Sequence, residues 1–155
     1  MVKCEIIELE PQLTAALGEE VRLSKLPIFF GCAYPKVMAA IEEAGAQIIG
    51  PPFGFYPKMP TDSVLVEAGF ATSTPVASGD VHSLMLPGGP AVSAVHVGPY
   101  ETMEKTYTEM QKWVTSQGLE VGEAVVEYYL SDPESHPDPK TWETRIVWTL
   151  QAKDE

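Results

Sequence analysis

The feature that most limits how this chain can fold is an internal duplication with a period of about 73 residues. Ala44-Gly45 through Gly50-Pro51-Pro52 to Tyr56 matches Gln117-Gly118 through Gly122 to Tyr129, and Val64–Phe70 matches Trp142–Trp148. A repeat of this length is one supersecondary unit used twice, here about residues 1–76 and about 79–151. Each copy reads strand, strand, helix, strand, strand.

In the first copy, residues 2–9 and 13–23 read as strands. A helix is expected from Leu26 to Ala44, with Val37, Ala40, Ile41 and Ala44 as its inward stripe at three- and four-residue spacing. Pro35 lies inside it and is expected to start a new helix or to kink this one, because proline has no N–H to donate. Phe53–Tyr56 and residues 63–70 read as the next strands.

In the second copy, strands fall at 80–87 and 91–97, separated by the turn Pro87-Gly88-Gly89-Pro90. A helix is expected from Tyr100 to Gln117, with Pro99 in its first turn and Glu101 and Glu104 at the positive end of its dipole. Met103, Tyr107, Met110 and Val114 form its stripe. After a glycine turn at Gly122 come the strand Val125–Leu130, a polar Pro-rich loop over 131–140, and the last strand Thr144–Leu150. Short connections imply mostly antiparallel pairing. The expected fold is therefore α+β, with tandem β-α-β-β modules related by a pseudo-two-fold. Two helices would lie on one side of the sheet, and a ligand groove would lie between the halves.

Composition narrows the function. At 155 residues and 45% hydrophobic content, the chain suits one soluble domain with its own core. Acidic residues number 22 against 10 basic ones, a net charge of -12, and no Lys/Arg cluster occurs. Nucleic-acid binding needs a basic face that displaces phosphate counterions, so direct contact with DNA or RNA is not expected. The acidic balance serves solubility, and it also suits a cationic ligand or a basic protein partner. No apolar run approaches the roughly 20 residues of a membrane span, and the N-terminus turns acidic at once, so no membrane association and a cytoplasmic location are expected. Cys4 and Cys32 are too few for a disulfide framework and sit among apolar residues, where buried thiols are expected. His82, His96 and His136 are scattered, and no metal or cofactor motif is present. His96 has no Ser or Cys partner visible in sequence and reads as a satisfied structural histidine.

Two carboxylates interrupt apolar strands. In Val-Val-Glu-Tyr-Tyr-Leu, period-two alternation puts Glu127 and Tyr129 on one face and Val126, Tyr128 and Leu130 on the other. A carboxylate beside aromatic rings holds a cation by charge and cation–π contact, or in low dielectric acts as a general acid or base. The competing reading is a solvent-facing Glu on a wet sheet face. Glu67, in Val-Leu-Val-Glu-Ala-Gly-Phe, is the acid of the first copy, and there the solvated-face reading is the stronger. Tyr56, Tyr100, Tyr129, Phe55, Trp113 and Trp148 are candidate groove aromatics, with core packing as the alternative, above all for the two tryptophans.

The run Leu86-Pro87-Gly88-Gly89, then Val95-His96-Val97-Gly98-Pro99-Tyr100-Glu101, then Tyr129-Leu130-Ser131-Asp132-Pro133 closely resembles the GyrI-like small-molecule-binding family. Gly50-Pro51-Pro52-Phe53 and Val66-Glu67-Ala68-Gly69-Phe70 are similar to its first-half motifs. The resemblance implies the tandem fold above and a small aromatic or hydrophobic ligand, in many members a cation. It also implies two alternatives: hydrolysis of cyclopropane-bearing electrophiles with Glu127 as the catalytic carboxylate, or a gyrase-inhibitor-type protein interaction. A fused helix-turn-helix, found in regulators of the family, is not expected within this length. One departure stands out. Where the family commonly has Trp-Arg-Thr-Glu-Ile, this chain has Trp142-Glu143-Thr144-Arg145-Ile146, so acid and base have exchanged places. The resemblance places Arg145 at a ligand-facing position, and the duplication makes it the counterpart of Glu67. An ion pair between the two, or an anionic or carbonyl-bearing ligand at Arg145, follows as an expectation. The implied ligand set is thus Glu67, Tyr56, Tyr100, Glu127, Tyr129, Arg145 and Trp148.

Overall fold

The computed structural model describes residues 3–58, 62–99, 102–131 and 137–151. Ten main elements follow one another: β1 (Glu5–Leu9), β2 (Gln12–Arg22), α1 (Leu26–Glu43), β3 (Phe53–Tyr56), β4 (Ser63–Ala71), β5 (His82–Leu86), β6 (Gly89–Val97), α2 (Met103–Ser116), β7 (Val121–Tyr129) and β8 (Glu143–Leu150). They form two compact units. One comprises Glu10–Gly88, and the other Met1–Leu9 with Gly89–Glu155.

The two units share one plan. The first has an antiparallel sheet in the order β3-β4-β2-β5 and the helix α1. The second has the order β7-β8-β6-β1 and the helix α2. The units divide the chain differently from the sequence copies. β1 pairs with β6, and β5 pairs with β2, so each unit takes its outer strand from the other side of the repeat boundary.

In the first unit, alternation sends Val66, Ala68 and Phe70 of β4, with Ala15 and Leu17 of β2, to the α1 side. There they meet Phe29, Ala33, Val37, Ala40 and Ile41. Pro35 does not start a new helix, since α1 is one element across it. The proline removes the donor that would serve the Gly31 carbonyl, but Gly31 and Pro35 are both exposed, so the lost bond lies on the solvent side of the helix. Ala44 lies past the helix end and is exposed, and Cys32 is exposed because it lies off the buried stripe. Cys4 is half-buried.

In the second unit, Val92, Ala94, Val125, Ile146 and Trp148 pack against Met103, Met110 and Val114. Helix α2 begins at Met103, so Pro99 precedes it, while Glu104 occupies its first turn as expected. Tyr100, Glu101 and residues 132–136 of the Pro-rich loop lie outside the described residues. The end of that loop, Pro139–Thr141, is a single 3-10 turn capped by the Asp138 side chain. Gly122 is not a turn. It lies inside β7, where the register shifts between Val121 and Val125. A Cβ there would come within 2.9 Å of Thr149 Oγ1, so glycine permits the close approach of β8. Likewise Gly89-Pro90 is strand rather than turn, paired with Leu9 and Glu8. Among the described residues, no helix is long and apolar enough to cross a membrane.

Candidate functional site

The β6-β8-β7 register builds the α2-facing surface of the second unit in three rows. The first row is His96, Thr144 and Tyr129; the second is Ala94, Ile146 and Glu127; the third is Val92, Trp148 and Val125. Direct partners across antiparallel strands share a face, so the rows follow from pairing alone. Two rows are mostly apolar and form the core. The first is polar throughout, and Glu127 stands beside it.

Glu127 is held by two phenols. Tyr107, from α2, donates its hydroxyl proton to Glu127 Oε2. Tyr129, two residues along β7, donates to Oε1 at 2.8 Å. Burial pushes the Glu127 carboxyl above its ordinary value of 4.5, opposed by the Tyr107 and Tyr129 hydrogen bonds and by the nearby His96. Tyr107 also meets Trp148 edge-on, with ring centroids 5.4 Å apart. The Trp148 indole N–H donates to the Gly122 carbonyl at 2.9 Å, a bond that the irregularity in β7 makes available. The outcome is a half-buried carboxylate ringed by two tyrosines and a tryptophan.

The rest of the polar row is structural on one side and unsatisfied in the middle. His96 Nδ1 lies 2.6 Å from Thr106 Oγ1, and its Nε2 donates to the Pro99 carbonyl at 3.0 Å. That bridge ties the end of β6 to α2, the structural role expected for this histidine. Thr144 is 0% exposed, and its hydroxyl has no hydrogen-bond partner among the described residues. An orphaned buried hydroxyl costs about 1–3 kcal/mol.

The other candidates lie elsewhere. Arg145 alternates with Thr144 and Ile146, so it occupies the face of β8 away from α2. There its Nε donates to Ser93 Oγ at 3.1 Å, and its guanidinium lies 6.0 Å from the Tyr128 ring centroid. Burial raises the Tyr128 phenol, and Arg145 partly offsets this. Glu67 is in the first unit, on the sheet face away from α1, 2.7 Å from His82 Nε2. Gly18 makes this possible: a Cβ there would come within 2.0 Å of the Glu67 carboxylate, which lies across β2 to reach β5. Glu67 and Arg145 thus have different partners. Tyr56 packs against the α1 core, and Trp113 against the α2 core. Tyr100 lies outside the described residues.

Sequence reasoning put Glu127 and Tyr129 on one face, where the register also places them; it gave Trp148 no face and favoured core packing for it, and Trp148 lies on the same face within the α2 core. It read Tyr107 only as part of the helix stripe and did not single out Thr144. One signal was available for Tyr107: the duplication places it at the counterpart of Tyr34, and a repeated tyrosine on a helix stripe otherwise built of Met and Val is conspicuous.

A helix-covered antiparallel sheet, used twice, defines an α+β domain, and its second copy holds an aromatic-lined carboxylate. The model of the GyrI-like small molecule binding domain matches residues 3–151, and the chain belongs to that family. The C-terminal domain of EcmrR is similar in structure at a TM-score of 0.84 and 18% identity, covering 99% of each chain. EcmrR in its complex with DNA gives 0.82 and 19%; 98% of this chain is covered but only 58% of that one, so this chain spans little more than half the length of EcmrR. A hydrolase from Listeria innocua gives 0.66 and 16%, over 96% of this chain and 92% of that one. SAV2435 bound to tetraphenylphosphonium gives 0.65 and 11%, over 97% and 94%. These are likenesses of fold. No curated protein sequence matches the chain.

Proposed function

We propose that this protein binds an aromatic or hydrophobic organic cation, with Glu127 as its counter-charge and Tyr107, Tyr129 and Trp148 as its aromatic surround. The observation that carries this reading is the Glu127 carboxylate, held by two tyrosine hydroxyls in a setting that disfavours its bare charge. A cation entering beside it offsets that cost, and the ring faces add cation–π attraction. SAV2435, a protein of similar fold, is bound to an aromatic cation of this class.

Calorimetric titration with tetraphenylphosphonium and with neutral triphenylphosphine oxide tests the reading. The cation is expected to bind and the neutral analogue to bind far more weakly. Glu127→Gln is expected to weaken cation binding by about 2–5 kcal/mol, as loss of one partner of a desolvated charge pair does. Equal binding of both compounds, or an unchanged Glu127→Gln, contradicts it.

A second reading is hydrolysis of a cyclopropane-bearing or similar electrophile, with Glu127 as general acid or base. The raised Glu127 carboxyl favours it, because a carboxyl that holds its proton more tightly than usual suits general acid–base chemistry. Mass analysis for a water-addition product, absent with Glu127→Gln, decides between binding and turnover.

A further inference from the structure

We propose that Thr144 is a second ligand contact and that the ligand is an ammonium bearing N–H groups rather than a quaternary cation. The inference rests on the reading of Glu127 as a cation site.

Three observations carry it. First, Thr144 is 0% exposed and its hydroxyl has no hydrogen-bond partner among the described residues. Second, the frame does not require that hydroxyl. Val66 occupies the corresponding place in the first unit, opposite Glu19 as Thr144 is opposite His96, and it is likewise 0% exposed. Valine and threonine have nearly the same shape, so the same architecture packs this position with no polar atom. Third, Thr144 adjoins Glu127. It pairs directly with Tyr129, whose hydroxyl donates to Glu127. The two positions are diagonal neighbours on one face, roughly 7–8 Å apart at the backbone, so one nitrogen placed between their side chains would reach both.

The chemistry then selects the cation. Glu127, when ionised, accepts only, and a threonine oxygen accepts as well as donates. A primary ammonium gives one N–H to the carboxylate and one to Thr144 Oγ1. A quaternary ammonium or a phosphonium satisfies the charge but leaves the hydroxyl unpaired. Specificity of this kind comes from a buried polar group that the wrong ligand leaves without a partner.

Calorimetry of the full chain with a matched pair, protonated 1-naphthylmethylamine and trimethyl(1-naphthylmethyl)ammonium, tests the inference. Wild type is expected to prefer the primary amine by about ten-fold, Thr144→Val to abolish that preference by weakening the primary amine alone, and Thr144→Ser to retain it. Thermal melts of both variants, expected at or above wild type for Thr144→Val, check that the fold is kept. A preference unchanged in Thr144→Val, or an equal loss for both cations, overturns the role of Thr144. Failure of both cations to bind wild type overturns the cation-site reading itself, and this inference with it.

Discussion

Place the two units side by side, and the same frame carries two different interiors. The row His96, Thr144, Tyr129 corresponds to Glu19, Val66, Tyr56, and the row Ala94, Ile146, Glu127 corresponds to Leu17, Ala68, Gly54. Tyr107 on α2 corresponds to Tyr34 on α1. Each meets the aromatic side chain at the matching place of its sheet edge-on: Tyr107 with Trp148 at 5.4 Å, Tyr34 with Phe70 at 5.6 Å. The hydroxyls part company. Tyr34 donates to the main-chain carbonyl of Phe53 at 2.7 Å, whereas Tyr107 donates to the Glu127 carboxylate. A glycine opposite Ala68 is enough for the first unit to fold. The carboxylate, the orphaned hydroxyl and the second tyrosine bond are therefore additions to a frame that stands without them, which is what a ligand site grafted onto a fold looks like.

The largest effects test the shared frame. Phe70→Ala and Trp148→Ala each remove a buried ring from matching places, and each is expected to lose about 3–5 kcal/mol of stability in denaturant unfolding. Matching losses support one frame used twice. A small loss at Trp148 alone would contradict one frame used twice.

The next test separates the interiors by pH. Well below 4.5 the Glu127 carboxyl is neutral both folded and unfolded, and its titration takes nothing from stability. As pH rises above that value, the unfolded chain releases the proton while the folded chain keeps it, so this group makes stability fall until its folded-state midpoint is passed. Glu127→Gln is expected to remove that fall. Tyr107→Phe is expected to raise the Glu127 midpoint further, because it deletes a bond to the charged form, while Tyr34→Phe leaves the midpoint unchanged and costs about 0.5–1.5 kcal/mol for its neutral bond. Equal effects of the two phenylalanines on the titration would break the contrast between the units.

The smallest effect belongs to the Glu67–His82 pair. His82 is 49% exposed, and such pairs contribute about 0–1 kcal/mol. His82→Gln is expected to change stability by no more than that and to leave cation binding alone, which would keep the ligand role in the second unit.

The sequence carried much of this frame, and the reasons for its gaps are physical. Period-two alternation put Glu127 and Tyr129 on one face, and the helix stripe named Met103, Tyr107, Met110 and Val114. The repeat boundary was not legible, because which strand completes each sheet is a long-range choice: β1 and β5 each pair across the apparent boundary. Gly122 read as a turn because glycine alone does not distinguish a turn from a close approach of strands. Arg145 was placed with the ligand set by resemblance, yet it lies one residue from Thr144, and in a strand one residue is the difference between two faces. Thr144 carried no signal of its own, since an orphaned hydroxyl is a property of its surroundings.

The most direct test of the central claim is a carboxyl-carbon NMR titration of Glu127, with and without tetraphenylphosphonium. The account predicts a midpoint above 4.5 in the unliganded protein and a clear drop when the cation binds. A midpoint in the ordinary range, or one that does not move with the cation, would contradict it.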